Sequence, residues 1–340
     1  MKALITFNGL LLLACAAHGQ DAPLAQPQRM EPLLSPGAAG MGDGFRASAL
    51  HRARRAEGNV PFSTSALVAD GAIVKKGSRS DMGHQGFGWG GVVFDDRAGS
   101  PRMRSTDVAV VLGYHVRFGA CSQLGGGVQL GLKQFWSDLI DGQWASQYDG
   151  LSYDPSRPSG ERFTERPITA GDAALGLCYR YSQKGNGREG RSGIDLRAGI
   201  AGHHLNKPRL SLDRENGHRL ARRWSAYATG SFADARGKRR LEPLVLVSLQ
   251  GREFMAQGGT VFALALVEQN SFTGPDRVLS AGLGAYARSD GSAIASLHAR
   301  WGEFGAVASY ELALSAARRN ALGNGAAEVS VFCELGQGKR

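Results

Sequence analysis

Cysteine is scarce in this chain, with four cysteines among 340 residues and no CxxC pair. After the N-terminal region only Cys121, Cys178 and Cys333 remain, and they lie far apart along the sequence. Zinc sites and disulfide-rich folds need closely spaced cysteines or an even number of them. The sequence therefore predicts neither a zinc site nor a disulfide framework.

Long apolar runs are also missing, because no segment after the start reaches the ~18 apolar residues of a transmembrane helix. The start, MKALITFNGLLLLACAAHGQ, combines a lysine, an apolar stretch and small residues. This pattern predicts a cleaved secretory signal peptide over 1–19, with a mature chain that begins near Gln20. The alternative is a lipoprotein signal that uses Cys15, although Leu13 fits such a signal poorly.

Several patterns that carry enzyme or ligand chemistry are absent. The sequence contains no GxSxG elbow, the motif that is typical of α/β-hydrolases. The stretch SQYDGLSYDPS at 146–156 lacks the regularly spaced acidic residues of an EF-hand calcium loop. The glycine runs at 86–91 and 125–131 sit within predicted strands, where glycine permits close packing or an interior bend, and not in a phosphate-binding loop before a helix. The basic clusters lack the interleaved aromatics of a nucleic-acid surface. We therefore predict no enzyme, cofactor, metal site or nucleic-acid partner.

Two adjacent histidines are the remaining metal candidate. His203 and His204 stand at the end of a predicted strand, with His218 in the loop that follows. Neighbouring residues of a strand point to opposite faces, which disfavours chelation by the pair. We interpret them as solvated loop residues.

What the sequence does have is glycine and strict alternation. Glycine numbers 48, about twice the usual share, which suits strands and turns better than helices. Within 106–118 every second residue from Val108 to Phe118 is apolar, while the intervening residues include Asp107 and His115. The same period of two recurs at 128–136, 194–200, 303–312 and 328–335.

Strands with this pattern are numerous and long. Most cover nine or more residues, enough for a tilted membrane-crossing strand, whereas soluble strands average about five or six. A soluble sandwich explains a few such strands but not the whole set. We predict an all-β fold, an antiparallel transmembrane β-barrel of about fourteen strands, with its apolar face on lipid and its polar face inward. The predicted strands are 44–54, 60–72, 84–95, 104–118, 124–136, 168–182, 193–202, 223–234, 241–250, 259–269, 278–288, 292–301, 303–314 and 326–335. The predicted lumen-facing residues are Asp107, His115, Arg117, Lys133, Asp195, Arg197 and Glu311.

This pattern divides the chain into a signal peptide at 1–19, an N-terminal periplasmic segment at 20–43, a barrel at 44–335 and a tail at 336–340. Long connections at 137–167, 203–222 and 315–325 are predicted to lie outside the cell. The N-terminus is then periplasmic, and the protein is an integral part of the outer membrane of a Gram-negative cell, in contact with its lipid.

Short motifs along the mature chain add a family resemblance. QDAPLAQPQRMEPLLSPGAAG at 20–40, LHRARR, FDDRAGSPRMR and GYHVRF occur in this order, and together they resemble the PorP/SprF family of type IX secretion system membrane proteins, found in Bacteroidetes. Ser35 replaces the usual asparagine of the family pattern, and Ala38 its aromatic residue. The positions that match the family motifs are Asp21, Gln26, Pro36, Gly40, Arg52, Asp96, Gly99, Pro101, Arg102, Tyr114 and Arg117.

The resemblance implies a non-enzymatic component that supports export and surface attachment of cargo proteins with a C-terminal sorting domain, with a link to gliding motility. It also implies partners among the periplasmic type IX secretion components. The segment 20–40 and the two long loops are then the expected working surfaces. A passive channel for small solutes is the alternative. A channel requires an open polar lumen, whereas the secretion hypothesis predicts a lumen that is plugged or filled by a partner.

Overall fold

The structure of the chain is a computed structural model that describes residues 21–42, 44–55, 61–73, 85–99, 103–137, 144–158, 160, 166–184, 193–211, 219–235, 237–266, 279–314 and 325–336. The predicted signal peptide, the motif residues Pro101 and Arg102, and His218 lie outside these ranges. So does all of the predicted tail after residue 336. Among the residues described, no helix combines the length and the apolar character needed to cross a membrane.

Fourteen antiparallel strands close into a single barrel, which confirms the predicted fold class. Each strand pairs with its sequence neighbours, and β1 closes the barrel on β14 from Phe45 opposite Leu335 to Arg54 opposite Ala326. The strands are β1 Phe45–Arg55, β2 Pro61–Ala72, β3 Gly86–Ala98, β4 Met103–Phe118, β5 Ser122–Trp136, β6 Ile168–Lys184, β7 Gly193–His203, β8 Arg223–Ala233, β9 Arg239–Gln250, β10 Glu253–Ala265, β11 Leu279–Arg288, β12 Ser292–Trp301, β13 Phe304–Ala313 and β14 Gly325–Leu335.

The period of two separates an outer from an inner face, as β4 illustrates. Val110 and Leu112 are 64% and 62% exposed, whereas Val111 between them is 1% exposed. The exposed apolar side chains form the surface that meets lipid, because they point away from the lumen on every strand.

The largest boundary error concerns β10, which begins at Glu253, whereas the predicted strand begins at 259. The pair Gly258–Gly259 resembles a turn in the sequence, but both glycines lie within the strand. Gly259 stands opposite Tyr286 of β11, and a Cβ there would lie 2.6 Å from the Tyr286 Cα. The glycine serves a close approach between strands and not a turn.

The two ends of the barrel differ in what they carry. The β5–β6 and β7–β8 connections lie at one end, which we call the loop mouth. The start of β1 and the end of β14 lie at the other end, which we call the base.

Candidate functional site: a lumen filled by the N-terminal segment

Residues 21–42, here called the luminal segment, lie inside the barrel. They form the 3₁₀ turn Pro27–Met30, the α-helical turn Glu31–Leu34 and the 3₁₀ turn Pro36–Ala38. Their side chains are among the most buried of the molecule, with Ala25, Met30, Ala38 and Met41 at most 1% exposed. The sequence predicts a periplasmic segment here, and the structure places these residues within the lumen instead.

The luminal segment spans the height of the lumen. Asp21 lies at the loop mouth, where its carboxylate pairs with Arg223 at the start of β8. At the other end the Gly40 N–H donates to Asp70, close to the base end of β2, at 2.7 Å. The segment therefore occupies the lumen from one end to the other.

An ion-pair cluster around Glu31 anchors the segment near the base. Its carboxylate accepts from Arg46 of β1 and from Arg197 of β7, each at 2.6 Å, and Arg46 also pairs with Asp70 at 2.7 Å. Burial by itself would raise the pKa of Glu31, but the Arg197 and Arg46 guanidinium groups lower this pKa to about 2. Glu31 is therefore ionised at all physiological pH values, and it ties strands from opposite parts of the wall to the segment.

The backbone of the segment is satisfied by side chains of the barrel wall. The Glu328 carboxylate accepts from the N–H groups of Ala25 and Gln26 at 2.7 and 2.9 Å. Gln257 donates to the Ala25 carbonyl oxygen at 2.9 Å. The short turns of the segment pair only part of its backbone groups. These buried polar side chains therefore satisfy backbone groups that the turns leave unpaired.

A row of inward glycines on β3–β6 accommodates the turn Pro36–Ala38. A Cβ on Gly113 would lie 2.9 Å from the Ala39 carbonyl oxygen, and a Cβ on Gly127 would lie 2.8 Å from the Gly37 nitrogen. Gly37 itself has no room, since its Cβ would lie 2.8 Å from the Gly176 carbonyl oxygen. Close packing, one of the two roles predicted for the glycine runs, is seen at Gly88 and Gly127, and their partner is the luminal segment.

A charged cluster at the loop mouth holds the first described residue of the segment. Asp21 pairs with Arg223 at 2.8 Å and with His204 Nε2 at 3.0 Å, while His204 Nδ1 lies 2.9 Å from Asp172. Burial disfavours the charged forms of Asp21 and His204. Even so, Arg223 and, to a smaller extent, His204 hold the pKa of Asp21 well below its usual value. Asp21 contributes most to raising the pKa of His204, which is about 9.

The interpretation of His203 and His204 as solvated loop residues is wrong, since they are 3% and 5% exposed. His203 Nε2 lies 3.4 Å from the Leu34 carbonyl oxygen. The backbone of His204 adopts φ 56°, so strand alternation ends there and both rings can contact the luminal segment.

We expect the pH to control this cluster through His204. The folded pKa of about 9 exceeds the ordinary value of 6.5, so its stabilisation is complete below pH 6.5 and is lost as the pH rises through 9. In urea unfolding of the purified barrel, the midpoint of the wild type should fall over this range more steeply than that of His204→Gln. Equal slopes for the two proteins would contradict the assignment.

The predicted lumen-facing residues take part in buried or half-buried ion pairs with few exceptions. Lys133 donates to Asp107 at 2.6 Å, and Arg180 pairs with Asp195 at 2.5 Å. Glu311 accepts from Arg52 at 2.7 Å. The His115 ring reaches the Gly37 carbonyl oxygen at 3.2 Å, and Arg197 binds Glu31. Arg117 is half-buried.

The family-motif positions divide into two groups. Gln26, Pro36, Gly40 and Arg52, in the luminal segment and on the wall around it, are buried, and Asp21 is half-buried. Asp96 accepts from the Thr64 hydroxyl at 2.6 Å, Gly99 ends the β3 strand with φ 80°, and Tyr114 packs against Phe87 on the outer face. Glu31, Asp70 and Arg288 were not singled out from the sequence. Arg46 was not singled out either, although its place on a polar strand face was a usable indication.

Fold and lumen together define a transmembrane β-barrel that is closed from within by its own N-terminal segment. The sequence model of one family, described as type IX secretion system membrane protein PorP/SprF, matches residues 16–330. The chain belongs to the PorP/SprF family, which confirms the resemblance found in the sequence. Such a barrel fits the outer membrane, and a component of this system acts with other secretion components.

No curated protein matches the chain significantly. Among solved structures it resembles the toluene transporter TbuX of Ralstonia pickettii, with a TM-score of 0.46 and 10% identity over 93% of this chain and 95% of that one. It resembles CdiB from Escherichia coli with a TM-score of 0.43 and 9% identity, over 85% of this chain and 63% of that one. The CymD monoaromatic hydrocarbon channel is similar with a TM-score of 0.42 and 11% identity, over 93% of both chains.

Proposed function

We propose that this protein is a non-enzymatic outer-membrane component that supports export and surface attachment of cargo proteins with a C-terminal sorting domain. The observation that carries the proposal is the filled lumen in a member of a secretion family. A barrel whose lumen is filled by its own chain offers surfaces for partners, and its described residues leave less room for solutes than an open barrel does. Gliding motility depends on surface proteins, so a link to motility belongs to the same proposal.

The passive channel is the weaker function because the luminal segment blocks the polar path that it requires. Its backbone is bonded to Glu328 and Gln257, and its Gly37 touches the wall. A solute channel would have its inward charges exposed to water, whereas Glu31 and Arg288 are 7% and 4% exposed.

Surface proteomics of a deletion strain tests the proposed function. Intact cells of the wild type, the deletion strain and a complemented strain are labelled, and their surface proteins are compared by mass spectrometry. We expect one or a few proteins with a shared C-terminal domain to disappear from the deletion strain and return on complementation. An unchanged surface together with reduced uptake of small solutes would favour the channel.

We propose that the loop mouth faces outward and the base faces the periplasm, so that β1 starts on the periplasmic side. Asp21 then lies at the outer mouth, and the luminal segment runs from there to the base, where it leads into β1. An epitope tag placed directly before Asp21 should bind antibody on intact cells. A tag in the turn at Gly302, at the base, should bind only after permeabilisation, and the reverse result would invert the orientation.

A further inference from the structure

On one side of the barrel the outer face becomes polar just before the loop mouth. A row of directly opposed residues crosses β1 to β6 there, and we call it the polar row. Its members are His51, Ser65, Asp95, Thr106, Gln134 and Thr169. On the opposite side the outer face is still apolar where the strands reach the loop mouth, with Trp224, Leu249 and Phe254 at least 44% exposed. The polar row is therefore a feature of one side of the barrel.

The polar row lies at the edge of the band that lipid covers. On β4 the outward side chains from Val108 to Phe118 are apolar or aromatic, and each is at least 43% exposed. At ~3.3 Å per residue and a strand tilt of ~40°, this stretch rises about 25 Å, which is the usual height of the apolar band of a membrane barrel. Thr106 and Arg104, the next outward residues of β4, therefore lie at the level of the lipid headgroups.

Two arginines face each other next to the polar row. Arg97 of β3 stands opposite Arg104 of β4, and their side chains are 57% and 46% exposed. The Asp95 carboxylate accepts from Nε of Arg97 at 3.0 Å and from Nε of Arg104 at 2.6 Å. Like charges at opposed positions of a sheet repel each other. One carboxylate thus holds two guanidinium groups together and leaves one positive charge uncompensated.

The terminal nitrogens of both arginines are open to a ligand. The hydrogen bonds to Asp95 use Nε, and within the described part of the chain no acceptor bonds the terminal nitrogens of Arg97 or Arg104. Guanidinium groups bind phosphate oxygens through parallel N–H donors. Trp136 stands opposite Arg104 on β5, a residue type that is common at the membrane interface. The arginine pair therefore has the charge, the free donors and the height to meet the phosphate of a lipid headgroup.

We infer that this surface binds the phosphorylated sugar headgroup of a glycolipid, with a phosphate on Arg97 and Arg104 and sugar hydroxyl groups on the polar row. Neighbouring strands lie about 4.8 Å apart, so the polar row extends over about 24 Å, more than one phosphate group covers. Its hydroxyl, amide and imidazole groups are donors and acceptors that sugar hydroxyls can pair with. The site follows from the outer face alone, whereas the leaflet that supplies the lipid depends on the orientation proposed above.

Lipid binding to the full-length barrel tests the inference. The probes are bisphosphorylated lipid A, the same lipid without its phosphates, and phosphatidylglycerol, and their complexes with the detergent-solubilised protein are quantified by native mass spectrometry. We expect bisphosphorylated lipid A to bind at least about tenfold more tightly than either other lipid, because only this lipid offers both charged acceptors and sugar hydroxyls. Arg97→Gln combined with Arg104→Gln should remove most of this preference. The control, Arg157→Gln combined with Arg222→Gln, removes the same charge from exposed positions in the two long connections and should leave the preference unchanged.

Equal binding of lipid A with and without its phosphates would overturn the inference. Binding of phosphatidylglycerol as tight as that of lipid A would also overturn it, since the sugars would then contribute nothing. If the double variant binds every lipid as the wild type does, the arginine pair is not a lipid site and an acidic protein surface becomes its candidate partner. Arg97→Gln alone guards against misfolding because that side chain is largely exposed, and it should weaken lipid A binding severalfold. The orientation does not affect this measurement, and the epitope tags test it separately.

Discussion

Replacing Gly127 by valine should expel the luminal segment and open the barrel. A Cβ at this position would overlap the Pro36 carbonyl and lie 2.8 Å from the Gly37 nitrogen, and these are backbone atoms that no side-chain rotation can move. In planar bilayers the wild type should conduct weakly. The Gly127→Val barrel should conduct at least about tenfold more, since an unfilled barrel of this size leaves an aqueous lumen.

The matched control is Gly126→Val in the same strand. Gly126 faces outward, where an added Cβ would lie 3.5 Å from the Leu177 side chain and make an ordinary contact. This variant should conduct like the wild type. If the two variants behave alike, or if the wild type already conducts strongly, the luminal segment does not seal the barrel.

Replacing Glu31 by alanine should destabilise the barrel by about 3–5 kcal/mol, because it leaves the buried Arg46 and the half-buried Arg197 without their shared carboxylate. Arg46 keeps Asp70, whereas the acidic partner that Arg197 keeps among the described residues is Asp195, at 3.2 Å. Urea unfolding in lipid vesicles measures the effect. Glu334→Ala is the control, because its pair with Arg300 is about one-third exposed on the arginine side and should contribute about 0–1 kcal/mol.

Glu31 also makes the stability of the barrel depend on pH in the acid range. Its folded pKa of about 2 lies below the ordinary 4.5, so its contribution is present above pH 4.5 and is lost as the pH falls through 2. Glu31→Gln should flatten this part of the pH profile. A loss in Glu31→Ala no larger than that in Glu334→Ala would show that the segment is held by packing alone.

The positions of the strands were predictable because each depends on neighbours in the sequence. A period of two over ten or more residues determines which side chains share a face. Closure of the barrel pairs the backbone groups of every strand edge, which is necessary because lipid offers no hydrogen-bond partners. Only the start of β10 differs widely from its predicted position. In the sequence, a glycine pair that packs beneath the Tyr286 ring cannot be distinguished from a glycine pair in a turn.

The place of the luminal segment was not predictable in this way. Its turns are too short for a periodic pattern, and proline and glycine at 36–37 are as typical of a free linker as of a packed turn. Its partners are distant, with 166 positions between Glu31 and Arg197 and 302 between Gln26 and Glu328.

By itself, then, the amino-acid sequence determined a barrel of fourteen strands, its two faces and its family, because alternation is a local property of the chain. The tertiary structure alone decided that the lumen is closed and which charges close it. Arg46, Arg197 and Glu328 become partners of one segment only when the strands that carry them curve around it.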